Sequence, residues 1–256
     1  MTPLLETRGL SKTFGGLKAV QNVDLSVGEN RIVSVIGPNG AGKTTLFNCL
    51  SGIYRPDGGS ITLGGRDITG RAPHQVSRLG LARTFQNIRL FPEMSVLENV
   101  LVAQFQHRSV APLPLLLRSK NFCAAEKQNR DEAMEFLDFV GLARRAHAVS
   151  SNLAYGLQRR LEIARALATK PRLLLLDEPA AGMNPQETVE MVQLISRIRE
   201  RGLAILLIEH HMKVVMTISD EILVLDHGVP IAHGAPEKVR NDPQVIKAYL
   251  GEEIAH

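Results

Sequence analysis

Ile32-Val33-Ser34-Val35-Ile36-Gly37-Pro38-Asn39-Gly40-Ala41-Gly42-Lys43-Thr44-Thr45 decides how the rest of the chain is read. Ile32–Ile36 is a short apolar run of the kind that forms a strand buried on both faces, where alternation is not required. Gly37 to Thr44 fits G-x-x-x-x-G-K-[S/T], and Lys43–Leu50 carries a helical pattern behind it. Gly37, Gly40 and Gly42 let backbone amides around Asn39 turn inward as a cup for phosphates, and the helix N-terminus adds positive potential. Lys43 can reach the outer phosphates of a nucleotide, and the Thr44 hydroxyl, with Thr45 beside it, can face Mg²⁺. The segment predicts a strand, a phosphate-binding loop and a helix in direct succession.

Such a loop needs an acidic partner at the tip of a neighbouring buried strand. Leu173-Leu174-Leu175-Leu176-Asp177-Glu178 supplies one. Four leucines make an interior strand, Asp177 emerges at its end to hold Mg²⁺ through water, and Glu178 points elsewhere and can polarise an attacking water as general base. The chain has no NKxD guanine-specificity motif, and a small-molecule kinase has no need of Glu178 beside the metal-facing Asp177. Hydrolysis, with water as the acceptor, is the better fit.

Further out, Leu203–Ile208 reads as another buried strand. Asn184 is a good N-cap and Pro185 a good first residue for a helix whose Val189, Val192, Ile195 and Ile198 share a face and which Gly202 ends. Alternating strands and helices argue for an α/β fold. Ser60–Ile68 alternates about Gly64-Gly65 as an antiparallel hairpin, and Ile222–Leu225 with Val229–Ala232 repeats this around Asp226-His227-Gly228. Between about Ile88 and Arg165 the strand signals stop. Ala133, Phe136, Leu137 and Val140 follow helical spacing with Gly141 as a stop, so this stretch reads as a helical insertion. Leu113–Lys120 within it reads as a surface excursion.

Composition removes other classes. The chain has 256 residues, 44% of them hydrophobic and 22% charged, which excludes disorder and collagen-like structure. The 30 Lys and Arg exceed the 26 Asp and Glu by four, and no basic arm is evident, so nucleic acid is not an expected partner. Cys49 and Cys123 lie in no CxxC or Cys/His cluster, which suits a reducing compartment. Glu6, Arg8 and Lys12 interrupt the N-terminus where a signal peptide needs an apolar core, and Val110–Leu117, the longest apolar stretch, falls short of the about 20 residues of a membrane span. The expectation is a soluble chain or a soluble subunit of something larger.

Taken together, these residues resemble the ABC (ATP-binding cassette) ATPase family over essentially the whole chain. Gly37–Thr45 resembles the cassette form of the phosphate loop. Gln86, in Arg83-Thr84-Phe85-Gln86-Asn87, is similar to the Q-loop glutamine, Ala181–Asn184 to the D-loop, and His210 rather than His211 to the switch histidine that contacts the γ-phosphate. Phe14 resembles the aromatic that stacks on adenine. The resemblance implies a P-loop NTPase (RecA-like) α/β core with an antiparallel β subdomain and a mainly helical inserted subdomain. Its divisions would be residues 1–87 with 166–235 for the core, 88–165 for the insertion and 236–256 for a C-terminal helical tail. It implies ATP and Mg²⁺ as ligands, with Glu178, His210 and Gln86 catalytic and with Thr44, Gln86 and Asp177 around the metal.

Leu153-Ala154-Tyr155-Gly156-Leu157-Gln158 lies where the family signature LSGGQ belongs, ahead of a helix expected over Arg160–Ala168. Ala154 replaces the serine, Tyr155 the first glycine and Leu157 the glutamine. In the family this segment closes over the ATP of a partner subunit, so Ala154 removes one donor to the partner's γ-phosphate while the backbone of Tyr155 and Gly156 and the helix end remain. Asn184, where the family usually has Asp, departs in the same direction. Within the family, Asn152–Met183, Ala82–Phe91, Ile208–Met216 and the tail from Asn241 to Glu252 resemble the branched-chain amino-acid importers, and the excursion near 113–125 resembles the longer of that system's two ATPase subunits. The resemblance implies membrane permease subunits, a second cassette (the lopsided motifs favour a heterodimer, with a homodimer as the alternative) and an indirect link to an extracytoplasmic substrate-binding protein. The place would be the cytoplasmic side of the inner membrane. A urea or amide importer and a lipopolysaccharide exporter share much of the pattern; a soluble ABC ATPase and a nucleotide-dependent regulator are the readings from other classes.

Overall fold

A computed structural model describes residues 3–105 and 120–253, so most of the expected excursion at 113–120 lies outside the described residues. The described residues divide into two compact units, residues 1–83 with 172–256 and residues 84–171. The first unit holds two sheets. A four-stranded antiparallel sheet has the order β2-β1-β4-β5, with β1 Leu5–Phe14, β2 Leu17–Val27, β4 Gly58–Leu63 and β5 Arg66–Asp67. The hairpin expected around Gly64-Gly65 is its β4–β5 edge, where Leu63 faces Arg66 and both glycines take positive φ.

The second sheet runs β10-β9-β3-β8-β7-β6, with β3 Ile32–Ile36, β6 Leu81–Arg83, β7 Leu173–Asp177, β8 Ala204–Ile208, β9 Glu221–Asp226 and β10 Val229–Gly234. β9, β3, β8, β7 and β6 are parallel, and β10 returns antiparallel. Every residue of β3, β7 and β8 is buried, which is why their sequences run apolar without alternation. Parallel pairing places the carboxyl ends of β3, β7 and β8 on one edge, and in open α/β sheets that edge is where ligands sit.

Helices α1 Lys43–Leu50 and α2 Pro73–Arg78 belong to this unit. Phe47, Leu46 and Leu50 from α1 enter a core shared with Val33, Val35, Leu173, Leu175 and Leu206. The helix expected after Asn184 runs Pro185–Glu200, counted below as α6. Its buried face is Met191, Leu194, Ile195 and Ile198; Val189 is 55% exposed and Val192 half-buried. The two valines instead line an apolar groove of about 650 Å³ with Met212 and Val214 of helix Met212–Ile218, counted below as α7. The expected stripe is therefore rotated in part: Ile195 and Ile198 are buried together with Met191 and Leu194, while Val189 and Val192 face the groove.

The second unit is helical: α3 Val96–Gln104, α4 Lys120–Phe139 and α5 Tyr155–Ala168, with 3₁₀ turns at Ala143–Arg145 and Ser150–Asn152. Ser95 and Glu98 form a capping box at the start of α3. Val96, Val100, Ala133, Leu137, Val140 and Leu161 are fully buried, and Gly141, at φ +78°, follows α4 as its spacing predicts. Two short helices, α8 Pro236–Arg240 and α9 Pro243–Glu253, close the C-terminal part of the first unit. No described helix is long and apolar enough to cross a membrane.

Candidate active site

The loop after β3 is built where only glycine fits. At Gly37 (φ +149°) a Cβ would lie 2.0 Å from the Leu225 carbonyl oxygen, and at Gly42 (φ +97°) 2.2 Å from that of Ala19. Gly42 is also the N-cap of α1, whose first turn carries no acidic residue, so its positive end is left for an anion. Lys43 is 6% exposed, and its ammonium donates to the carbonyls of Gly37 (2.6 Å) and Pro38 (2.7 Å), which holds it inside the cup. Asn39, Gly40 and Thr44 are exposed at the rim, and Thr45 is half-buried. Phe14, at the end of β1, is 41% exposed, meets Tyr54 edge-on at 5.2 Å and lies 5.3 Å from the Lys12 ammonium.

At the tip of β7, Asp177 is 2% exposed. Its Oδ2 accepts from the Arg83 guanidinium at 2.9 Å, and the other arm of that fork donates to Asn48 Oδ1 (2.7 Å) and Ser51 Oγ (2.9 Å) on and just after α1. One planar cation thus ties the ends of β6 and β7 to the helix behind the phosphate loop. Sequence reasoning missed Arg83. The only signal was a charged residue closing a short apolar strand, which by itself names no partner.

Glu178 follows with φ +50°, a costly conformation for a residue with a side chain. Its amide donates to the Ile208 carbonyl (2.9 Å), and its Oε1 lies 2.6 Å from His210 Nε2. His211 instead has Nδ1 3.7 Å from Glu209 Oε2. Glu209, also missed from sequence, is 2% exposed; its Oε1 accepts from the Ala180 amide (3.0 Å) and its Oε2 from the His210 amide (3.0 Å). An acidic residue between an apolar strand and two histidines looks like surface until the fold buries it.

Asn184, expected both as N-cap and in the D-loop position, caps α6: its Oδ1 accepts from the Glu187 amide (2.9 Å) while the Glu187 carboxylate takes the Asn184 amide (3.0 Å). Asparagine and aspartate serve equally as caps, so the replacement leaves this local structure intact.

In the second unit, the helix of the signature segment begins at Tyr155, not at Arg160 as expected. Ala154 is its N-cap and supplies no side-chain cap; its carbonyl receives the first intrahelical bonds, from Leu157 and Gln158. Tyr155 and Gly156 therefore stand in the first turn, where backbone amides precede the ladder. The Tyr155 hydroxyl accepts from Arg159 at 2.8 and 3.1 Å. Arg159, 3% exposed, also donates to the carbonyls of Phe85 (2.6 Å) and Gln86 and pairs with Glu162 (3.2 Å), which takes the Phe85 amide (3.1 Å). Burial pushes the Glu162 carboxyl above its usual range, against the lowering pull of the Phe85 amide and Arg159. The Gln86 side chain is exposed while its backbone is held by this network. The tyrosine in place of the signature glycine thus has a definite task, bracing the arginine that grips the Phe85–Gln86 backbone.

Two observations bear on Mg²⁺. Asp177 and Thr44 offer the hard oxygen donors it takes, and among the described residues no group of three or more His, Cys, Asp or Glu converges. That set suits an ion that shares its shell with substrate phosphates and water.

Residues 20–181 match the family described as ABC transporter, and residues 229–255 match one described as Branched-chain amino acid ATP-binding cassette transporter. The high-affinity branched-chain amino acid transport ATP-binding protein LivG of Salmonella typhimurium is 54% identical over 251 residues, covering 98% of each chain. A solved ATP-binding cassette of an ABC transporter in its ADP conformation is 31% identical, with TM-score 0.85 over 98% of this chain and 100% of that one. A dimeric bacterial ABC transporter cassette is 25% identical, with TM-score 0.77 over 91% of this chain and 98% of that one.

Proposed function

The chain belongs to the ABC transporter family, and from that membership we propose that it is the ATP-hydrolysing subunit of an importer for branched-chain amino acids. The observation that carries hydrolysis is the contact of Glu178 Oε1 with His210 Nε2 at 2.6 Å, at the strand edge that also bears the phosphate loop. The branch is supported by the match over residues 229–255 and by the 54% identity to LivG.

The roles follow from chemistry. Backbone amides of the Gly37–Thr44 loop and the α1 N-terminus bind the phosphates, and Lys43 adds a cation against the β- and γ-phosphates. Phe14 offers an aromatic face for adenine. Asp177 and Thr44 would hold Mg²⁺, which would supply charge neutralisation at the phosphates, and family membership assigns Gln86 a role towards the same ion. Glu178 accepts a proton from the attacking water as that water bonds to the γ-phosphorus, and ADP leaves with the bridging oxygen's electrons. His210 orients Glu178 and offers a donor towards the γ-phosphate. Ala154, Tyr155 and Gly156 face the nucleotide of a second cassette, and Asn184 lies in the loop between the two. ATP favours the closed pair of cassettes on the cytoplasmic side of the membrane, hydrolysis reopens it, and separate membrane permease subunits take up the motion.

Glu178→Gln in a complex able to take up leucine tests the proposal. ATP binding by calorimetry should persist, while ATP hydrolysis and leucine uptake fall together by about a hundredfold or more. Hydrolysis at the normal rate would remove Glu178 as the base, and uptake at the normal rate with hydrolysis lost would remove this chain's ATPase as the source of energy for transport.

A further inference from the structure

We infer that Glu209 is a positioning residue that holds the hydrolytic pair together by tying the loop after β7 to the turn after β8. The inference rests on the reading of Glu178 and His210 as that pair.

The geometry is specific. The two carboxylate oxygens of Glu209 are divided between the two segments: Oε1 takes the Ala180 amide at 3.0 Å, and Oε2 takes the His210 amide at 3.0 Å and lies 3.4 Å from the His211 nitrogen. The side chain is 2% exposed, so these amides replace the water that a carboxylate would otherwise hold. Ala180 is two residues beyond Glu178, whose φ of +50° persists only if neighbours over-determine it. Three bonds do so around that position: Glu178 amide to Ile208 carbonyl (2.9 Å), Ala181 amide to Glu178 carbonyl (3.2 Å), and Ala180 amide to Glu209. On the other side, the bond to the His210 amide sets where its imidazole starts. The 2.6 Å contact between Glu178 and His210 therefore closes a ring whose opposite side is the Glu209 carboxylate.

Glutamine at this position is the sharpest perturbation. It keeps the shape but has one oxygen, so one amide loses its acceptor and a donor is turned towards a donor. A residue that positions His210 against Glu178 should matter less once His210 is gone, because groups acting as a unit are non-additive.

The experiment is a double-mutant cycle on the intact transporter complex, with Glu209→Gln, His210→Ala and the pair. Glu209→Gln should lower the hydrolysis rate at saturating ATP by about tenfold to a hundredfold, with KM for ATP and calorimetric ATP affinity within about twofold of normal. In the His210→Ala background the same change should cost clearly less, the remainder being its hold on Glu178 through the Ala180 amide. Equal factors in both backgrounds, or an ATP affinity that falls in step with the rate, would overturn the inference and leave Glu209 a structural carboxylate. If His210→Ala alone is without effect, the reading of the pair fails instead. Should Glu209→Gln not accumulate, Glu209→Asp, which keeps the charge and shortens the reach by one methylene, carries the same cycle at smaller amplitude; additive factors there count against the inference equally.

Discussion

Cys49 shows how one buried side chain is set by its surroundings. It lies on the inner face of α1, 2% exposed. Burial pushes its thiol from 9.0 to about 11, with Lys12 pulling it down and Asp57 pushing it up. The folded chain thus holds this proton more tightly than the unfolded one. Its contribution to stability is full below pH 9.0 and drains away as pH climbs towards about 11, because the unfolded thiol ionises first. Urea unfolding measured between pH 8 and 11 should therefore fall more steeply for the native sequence than for Cys49→Ala; parallel curves would refute burial as the cause. The same burial keeps the thiolate, the reactive form, scarce. From sequence, Cys49 was legible as unpaired, but its depth was not.

At the scale of elements, the phosphate loop, β7 and α1 were legible in the sequence because their patterns are local. Four successive leucines can only be interior, and Gly-x-x-x-x-Gly-Lys-Thr needs its strand and helix in register. The start of α5 was missed by five residues because Ala154 is a weak cap and gives no start signal. The buried face of α6 keeps the expected Ile195 and Ile198 but takes Met191 and Leu194 in place of Val189 and Val192, because both sets satisfy helical spacing and only tertiary packing decides which is covered. Arg83 belongs to this scale too, since it joins β6, β7 and α1. Arg83→Met leaves Asp177 buried with its cation gone, so it should cost about 3–5 kcal/mol of unfolding free energy, with an unchanged denaturant slope. Adding Asp177→Asn should restore part of that loss. A loss under about 1 kcal/mol for the single change would show the pair to be incidental.

For the whole molecule, the motifs are split between its two parts. The phosphate loop, Asp177, Glu178 and His210 belong to one unit, whereas Gln86 and the signature residues Ala154–Gly156 belong to the other. Purification of the tagged chain from its membranes in mild detergent should bring down integral membrane subunits and a second, different cassette, read by mass spectrometry. A cassette recovered with no membrane protein would sink the importer reading, and recovery of this chain as the sole cassette would replace the heterodimer with a homodimer. The sequence by itself determined the phosphate-loop pattern between its strand and helix, which carboxylates end the buried strand, and the apolar strands Ile32–Ile36, Leu173–Asp177 and Ala204–Ile208 of the core. Those follow from short-range patterns of glycine, charge and apolar spacing. Only the tertiary structure decided the supports, Arg83 on Asp177 and Glu209 across Ala180 and His210, because a buried ion pair and a shared carboxylate join residues 94 and 29 positions apart, and no local pattern records such pairings.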